Sequence, residues 1–160
     1  MKDSVAALEW IVLNLSDARI KFLVVGGLAV NAYGGPRPLN DIDIDVPDAA
    51  LGLLAERLRP FVSSGPERLV EDPFDCAFLS LTSLGQVIEL SGADTFKIKD
   101  KSSREWIDWT TDLSASEWRT VLGATVPVMR RDKLIAYKQA AGRDTDLQDV
   151  AFLQSLSATR

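Results

Sequence analysis

Residues 22–46 of this chain read FLVVGGLAVNAYGGPRPLNDIDIDV, and this stretch decides the fold. The apolar, β-branched run over 20–25 predicts a buried strand that ends at Gly26 and Gly27. Residues 28–33 predict a short helix, because apolar residues are followed by a Gly-Gly-Pro sequence that ends helices. The stretch therefore predicts a strand, a glycine turn and a helix in close succession.

Three aspartates follow at the spacing of a strand. Residues 41–46 alternate acidic and aliphatic side chains, so Asp41, Asp43 and Asp45 share one face. Neighbouring carboxylates on one face lie about 6–7 Å apart, and each pair costs about 3 kcal/mol at an effective dielectric of ~20. Mg²⁺ or Mn²⁺ relieves such repulsion, since hard cations prefer oxygen ligands. The alternation therefore predicts a divalent-cation site.

The glycine pair supplies a complementary anion site. Gly26 and Gly27 end a strand and open a helix, so their backbone N–H groups can face a phosphate without an intervening Cβ. Thirteen residues separate Gly27 from Asp41, which is enough for a short helix and a returning strand. A nucleoside triphosphate fits both halves, because Mg²⁺ bridges its phosphate oxygens while the backbone holds the rest.

The remaining hydrophobic patterns predict a mixed α/β or α+β class. They predict helices over 3–16, 49–58, 132–141 and 146–156, and strands over 76–81, 86–90 and 125–129. Residues 97–118 are polar and receive no predicted element. We expect a single domain over 1–160, with a core over about 1–95 and a helical C-terminal part over about 96–160.

Composition excludes several classes of protein. The chain has 160 residues, of which 46% are hydrophobic, and its net charge of −5 argues against coating nucleic acid by bulk attraction. It has no histidine, which excludes Ser-His-Asp triads and histidine general bases. The single cysteine, Cys76, cannot form an internal disulfide, and no apolar run is long enough for a membrane span. We expect a cytoplasmic protein without a membrane partner.

Two motifs in order carry a family resemblance. The first is the strand ending in Gly-Gly, followed by Arg37 and Asp41-Ile42-Asp43. The second, KLIAYKQAAGRDTDLQD over 133–149, places a lysine helix before an Arg…Asp-Leu…Asp signature. Together they resemble the nucleotidyltransferase (polymerase-β-like) superfamily, and within it the small bacterial AbiEii toxin and minimal nucleotidyltransferase type. The resemblance implies a small mixed sheet flanked by helices, with further helices at the C-terminus.

The resemblance also implies roles for individual residues. Metal binding and catalysis fall to Asp41, Asp43 and a third carboxylate, for which Glu89 is the best candidate as ligand or base. Nucleotide binding falls to Gly26, Gly27, Arg37, Lys138 and Arg143. The motif usually has an aliphatic residue at Asp45, so the role of Asp45 stays open. A structural ion-pair network among Arg143, Asp146 and Asp149 is an alternative to direct chemistry.

The resemblance implies a Mg²⁺-dependent enzyme that moves an NMP from an NTP onto an acceptor hydroxyl and releases pyrophosphate. The acceptor could be RNA, a protein or a small molecule, and a toxin role would add an antitoxin partner. One alternative is an inactive nucleotide- or partner-binding member of the fold. Another is a kinase-like phosphotransferase, which would release ADP. The basic residues Arg130, Arg131 and Lys133 are a candidate surface for RNA or an acidic antitoxin, although such clusters are usually only solvated.

Overall fold

Five helices and nine strands make up residues 1–156, the part of the chain that the computed structural model describes. The helices are α1 (Ser4–Asp17), α2 (Gly26–Ala32), α3 (Ala50–Arg57), α4 (Arg131–Ala141) and α5 (Asp144–Ser155), with a 3-10 turn at Arg59–Phe61. The strands are β1 (Leu23–Val25), β2 (Ile42–Val46), β3 (Val62–Glu71), β4 (Phe74–Ser83), β5 (Gln86–Gly92), β6 (Lys97–Lys99), β7 (Trp106–Asp108), β8 (Ser116–Val121) and β9 (Ala124–Met129).

The strands form one mixed sheet. Their order is β7-β6-β4-β5-β2-β1-β9-β8, and β3 pairs with β4 outside this path. The pairs β2–β5 and β1–β9 are parallel, whereas β1–β2, β3–β4, β4–β5 and β8–β9 are antiparallel. The strand that carries the aspartates, β2, lies between β1 and β5. Its side chains can therefore meet residues from both neighbours.

One face of the central strands is apolar and packs into the core. Ile42 and Ile44 of β2 are fully buried and lie in register with Ile88 and Leu90 of β5. They belong to the same buried cluster as the apolar residues of α1 and α3, which are Ala7, Leu8, Ile11, Leu15, Ala50, Leu51 and Leu54. Because strand side chains alternate between faces, this packing turns the aspartates of β2 to the opposite face.

The structure confirms the mixed α/β class and the predicted order of strand, glycine turn, helix and strand. Helix α2 begins at Gly26, two residues before the predicted start. The expectation of a helical C-terminal part over 96–160 is wrong for residues 97–129, which form β6 to β9. Strands β6, β7 and β8 are short and mostly polar, and backbone pairing holds them, so no apolar period predicts them. Strand β9 is apolar and agrees with the strand predicted over 125–129. Residues 157–160 of the predicted domain lie outside the described residues.

Strand β3 was also absent from the sequence expectations. It reads VSSGPERLVE, and most of its residues are exposed because it pairs only with β4. Its register shifts between Val62 and Glu67, which interrupts the alternation that would identify a strand. Helices within residues 1–156 are all too short or too polar to cross a membrane.

Candidate active site

An acidic wall forms where β2 and β5 run side by side. In their parallel register Asp43 lies opposite Glu89 and Asp45 lies opposite Ser91. Glu89 therefore joins the face that carries the aspartates, although it is distant in sequence. We call Asp41, Asp43, Asp45 and Glu89 the acidic wall, and all four side chains line one cavity.

The glycine turn lies against this wall. Val25, the last residue of β1, pairs with Asp43, so the next residue, Gly26, begins α2 beside the Asp43 carboxylate. Gly26 has φ +61°, and a Cβ at this position would collide with that carboxylate. A Cβ at Gly27 would meet Arg37 Nη2 at 3.7 Å, an ordinary contact. The close approach therefore requires glycine at position 26 and leaves the turn open toward the cavity.

Burial and repulsion within the acidic wall raise the pKa values of Asp43 and Glu89. Burial raises the pKa of Asp43 well above its usual value, and the charges of Glu89, Asp41 and Asp45 raise it further. Burial and the charge of Asp41 also raise the pKa of Glu89, against a hydrogen bond with Asp43 that lowers it. A positive charge between these groups would relieve the repulsion.

The donor chemistry of the wall fits a divalent cation. Its carboxylate oxygens are the ligands that Mg²⁺ and Mn²⁺ prefer, and raised proton affinity marks a place where positive charge is favoured. No three Asp, Glu or Cys side chains in residues 1–156 are spaced as a ready cluster of metal ligands. The match between the acidic wall and a divalent cation therefore depends on the carboxylates that converge there. Their side chains are not already arranged around a cation position.

Facing the acidic wall is a set of ion pairs that we call the paired network: Arg37, Lys138, Arg143, Asp146 and Asp149. Lys138 Nζ lies 3.2 Å from Asp146 Oδ1 and 3.0 Å from Asp149 Oδ2. Arg37 donates to both Asp149 oxygens at 3.1 and 2.5 Å. Arg143 donates to Asp146 Oδ2 at 2.7 Å and Oδ1 at 3.1 Å. All three cations line the cavity, and each forms an ion pair with Asp146, Asp149 or both, which leaves one positive charge in excess over the two carboxylates.

The paired network joins separate elements of the fold. Asp146 and Asp149 lie on α5, Lys138 lies on α4, and Arg37 follows α2. Lys138 is 2% exposed, so its charge depends on the two aspartates. Burial opposes ionisation of Asp146, but the Arg143 hydrogen bonds and the Lys138 charge lower its pKa. The structural network that the sequence left open is thus present, and direct contact of Lys138 or Arg143 with a triphosphate stays a prediction.

Asp45 differs from its neighbours on β2. It is 5% exposed, and Thr111 Oγ1 donates to its Oδ2 at 2.8 Å. Burial raises its pKa to about 7, against the lowering effect of the Thr111 hydrogen bond. Thr111 belongs to the polar segment over 97–118 that the sequence could not place. Asp45 is therefore held by a residue whose involvement no sequence pattern indicated.

The cavity has a volume of about 310 Å³ and an aromatic side that the sequence reading missed. Phe74, Phe96 and Tyr137 contact one another with ring centroids 5.7–6.1 Å apart. The Arg143 guanidinium lies 4.8 Å from the centre of the Phe74 ring. Tyr137 is adjacent to Lys138 in the C-terminal motif, and this position was the one sequence signal that could have placed it at the cavity. No sequence signal pointed to Phe96, because strands β6 and β7 were not predicted.

Comparisons with known proteins bear on this geometry. No family model matches the chain, and no curated protein matches it in sequence. Solved structures match nearly all of it. An inferred nucleotidyltransferase from Thermotoga maritima has a TM-score of 0.72 and 20% identity, covering 98% of this chain and 93% of that one.

Two antibiotic-modifying or resistance proteins match as well. The lincosamide antibiotic adenylyltransferase LnuA, bound to lincomycin, has a TM-score of 0.63 and 12% identity over 98% of this chain and 99% of its own. The antibiotic-resistance factor ANT(2'')-Ia has a TM-score of 0.64 and 14% identity over 98% and 84%. Identities this low establish shared architecture and nothing about substrates. The chain therefore has the nucleotidyltransferase fold.

Proposed function

We propose that this protein transfers an NMP from an NTP to an acceptor hydroxyl and releases pyrophosphate, with Mg²⁺ or Mn²⁺ as cofactor. The single observation that carries this proposal is the placement of Asp43 and Glu89 as register neighbours against the Gly26 turn. Such an arrangement puts cation ligands and phosphate-facing amides in one cavity. The nucleotidyltransferase fold supports the same reaction class.

The mechanism assigns each side chain a task. Asp41, Asp43 and Glu89 would hold the divalent cation, which neutralises phosphate charge when bound. The backbone N–H groups at Gly26 and Gly27 would receive triphosphate oxygens. Alternatively, Asp41 and Asp43 alone would hold the cation, and Glu89, whose pKa burial and the charge of Asp41 raise, would take the proton from the acceptor hydroxyl. The acceptor oxygen then bonds to the α-phosphorus, the bond from the α-phosphorus to the bridging oxygen breaks, and pyrophosphate leaves.

The paired network would act on the opposite side. Arg37 lies beside Gly27 and pairs with Asp149, so its guanidinium is fixed near the proposed triphosphate position. The charge of Lys138 lowers the pKa of Asp43, against the burial and the carboxylate charges that raise it, and this supports a role for Lys138 beside the acidic wall. Held cations of this kind favour an anionic transition state without moving during the reaction.

The chemical class of the acceptor is a further part of this proposal. Structural neighbours include an adenylyltransferase bound to lincomycin and ANT(2'')-Ia in complex with adenylyl-2''-tobramycin, so small-molecule acceptors occur on this fold. We favour a small-molecule acceptor for this chain. The motif resemblance to AbiEii toxins supports the other acceptors, RNA or protein, together with an antitoxin partner. A cytoplasmic location stays a prediction.

A second candidate is a nucleotide- or partner-binding protein without catalysis. One observation favours it: residues 1–156 contain no ready-made cluster of metal ligands. Only the first candidate predicts transfer, whereas the second predicts binding of a nucleotide or of a partner without transfer.

Labelled nucleotides distinguish these outcomes. The protein is incubated with Mg²⁺ and ATP, GTP, CTP or UTP labelled at the α- or γ-phosphate, together with a small-metabolite extract or total RNA. Transfer of α-label with pyrophosphate release supports the proposed reaction. Transfer of γ-label with NDP release indicates a kinase-like reaction, and nucleotide binding without transfer indicates the inactive candidate. Asp43→Asn should abolish transfer, whereas Asp17→Asn, an exposed change at the end of α1, should not.

A further inference from the structure

We propose that two copies of this chain form a symmetric dimer through the free edge of strand β8, with Trp118 at the two-fold axis. The second copy adds its own β8 in antiparallel orientation, so the two sheets become one. Such a dimer is independent of the proposed reaction. Three observations support it: the open edge of β8, the exposure of Trp118 and the order of charges along the strand.

Strand β8 has an unprotected edge. It stands at one end of the strand order, and within residues 1–156 it pairs with β9 alone. All six residues of β8 pair with β9 without a register shift, and the sequence SEWRTV has no lysine or proline. Lysine, proline, bulges and short length are the features that usually keep an edge strand from pairing with another chain. Their absence leaves β8 open to a further strand.

Strands β3 and β7, which also lie at edges of the sheet, have such protection. Strand β7 is only three residues long. Strand β3 has ten residues, but its register shifts between Ser64 and Glu67, where Gly65 and Pro66 interrupt the ladder. A register shift bends the strand, and proline has no N–H to donate to a new partner. The comparison favours β8 as the edge that a second chain would join.

The hairpin between β8 and β9 determines which backbone groups of β8 point outward. Its loop is Leu122-Gly123, both with positive φ, so the residue pair that flanks the loop is hydrogen-bonded. Hydrogen-bonded and non-hydrogen-bonded pairs alternate along an antiparallel ladder, so Trp118 and Thr120 direct their N–H and C=O groups away from β9. In agreement with this, the residue opposite Trp118 is Pro127, which has no N–H. Among residues 1–156, no loop or turn hydrogen bond takes up these outward groups.

Trp118 places a large apolar side chain at the middle of this edge. Its exposed fraction is 68%, compared with 40% for Trp106. Tryptophan is enriched at protein interfaces, where its ring excludes water over a large area. In an antiparallel pair centred on Trp118, the two indole rings lie on the same face of the sheet, with their Cα atoms about 5.5 Å apart. Each ring would then shield the other from water.

The charges on either side of Trp118 are self-complementary. Glu117 and Arg119 form an ion pair on the other face of β8, where Arg119 Nε also donates to the carbonyl oxygen of Ala32 at 2.9 Å. In a dimer centred on Trp118, Glu117 of each copy lies opposite Arg119 of the other, which is a favourable cross-strand pair. A register shift of two residues would instead place Glu117 opposite Glu117, or Arg119 opposite Arg119. The order of charges therefore favours a second copy in this one register.

Sedimentation velocity over a range of protein concentrations tests the dimer. The wild-type chain is compared with Trp118→Lys, which places two ammonium groups opposite each other at the two-fold axis. Trp106→Lys, the same change at the exposed tryptophan of β7, is the control. We expect wild type and control to change from monomer to dimer as the concentration rises. For Trp118→Lys we expect a dissociation constant at least about 10-fold higher.

Disulfide formation tests the register. In the proposed dimer, position 116 of one copy lies opposite position 120 of the other, at a Cα separation of about 5.5 Å that a disulfide can span. Ser116→Cys and Thr120→Cys are made as separate proteins and oxidised alone or as an equimolar mixture, with the buried Cys76 left in place. Identical positions in the two copies are offset by four residues, about 13 Å. We expect linked dimers to form about 10-fold faster or more in the mixture than in either variant alone.

A wild-type chain that stays monomeric at every concentration would overturn the proposal and leave this edge to a different protein. A dimer that Trp118→Lys leaves unchanged would also overturn it, as would equal rates of disulfide formation in the mixture and in the single variants. Circular dichroism verifies that each variant folds. If Trp118→Lys does not fold, Glu117→Arg replaces it with the same expectation, because it places like charges opposite each other at Arg119 of the other copy.

Discussion

The two sides of the cavity differ in whether their charged side chains form ion pairs. On the strand side, Asp43 and Glu89 lie next to each other, and burial together with the charge of Asp41 raises the pKa of both. On the helix side, Lys138 lies between Asp146 and Asp149, and its charge is matched within 3.2 Å. Both sides consist of ionisable residues with restricted exposure. Within residues 1–156, every cation of the helix side has a carboxylate partner, whereas no lysine or arginine forms an ion pair with Asp43 or Glu89.

This difference separates structural charge from functional charge. Ion pairs that are complete in the folded chain hold elements together, as the paired network holds α4, α5 and Arg37. Carboxylates that repel one another lower the stability of the fold. Their presence indicates a functional site, because a bound cation or substrate offsets the repulsion. The following substitutions test this division, and we expect their effects to decrease in the order given.

The largest effect is expected for Lys138→Met. Removing the buried ammonium leaves Asp146 and Asp149 without their shared partner, which should lower the free energy of unfolding by about 3–5 kcal/mol. Urea denaturation followed by circular dichroism measures this. Lys133→Met, an exposed change on the same helix, is the control and should have little effect. Equal stability of the two variants would show that the network is not structural.

Asp43→Asn should act on catalysis instead of stability. It removes a carboxylate from the acidic wall, so the rate of α-label transfer should fall about 10²-fold or more, because cation binding is lost. The free energy of unfolding in EDTA should stay the same or rise, since a source of repulsion is removed. A large loss of stability in EDTA would instead place Asp43 among the structural charges.

Gly26→Ala should be more harmful than Gly27→Ala. Alanine at position 26 pays about 1–2 kcal/mol for the left-handed backbone, and its Cβ also displaces the Asp43 carboxylate. At position 27 the new Cβ has room, so the free energy of unfolding should stay within about 0.5 kcal/mol of wild type. Thermal denaturation of both variants checks this. Similar losses would contradict the described contact between Gly26 and Asp43.

The last prediction concerns Asp45→Asn, whose effect should be the smallest of the four near pH 4 and should grow as the pH rises. The pKa of Asp45 rises from 3.8 to about 7 in the fold, so the native state binds the proton more tightly than the unfolded chain. Wild-type stability from this group is therefore present below about pH 4 and lost as the pH rises through 7. Asp45→Asn should be more stable than wild type by about 4 kcal/mol at pH 8 and equal to it near pH 4.

Urea titrations of wild type and Asp45→Asn at several pH values in EDTA measure that difference. Other titrating groups are common to both proteins, so their contributions cancel to first order. A constant difference across the pH range would show that Asp45 is not the group with the raised proton affinity.

The sequence predicted the glycine turn and the strand that carries the aspartates because both are local patterns. Alternation placed Asp41, Asp43 and Asp45 on one face, and the glycine pair marked the end of β1. The position of Glu89 beside Asp43 depends on the parallel register of β2 and β5. No local pattern specifies that register, and the family resemblance alone pointed to Glu89.

The aromatic side and the Thr111 contact lay beyond sequence reasoning. Strands β6 and β7 are three residues each, and backbone pairing holds them without a hydrophobic period. Phe96 directly precedes β6 and lines the cavity, and Thr111 follows β7 and donates a hydrogen bond to Asp45. The C-terminal motif could be read either as phosphate contacts or as an ion-pair network, since one-dimensional spacing does not show which partner each cation meets.

A crystal grown with Mn²⁺ and a non-hydrolysable NTP analogue tests the central claim most directly. Anomalous scattering locates Mn²⁺ without ambiguity. We expect Mn²⁺ to be bound by Asp41 and Asp43, near Glu89, with the triphosphate against the backbone of Gly26 and Gly27. Mn²⁺ and nucleotide bound elsewhere, with the acidic wall still facing only solvent, would contradict it.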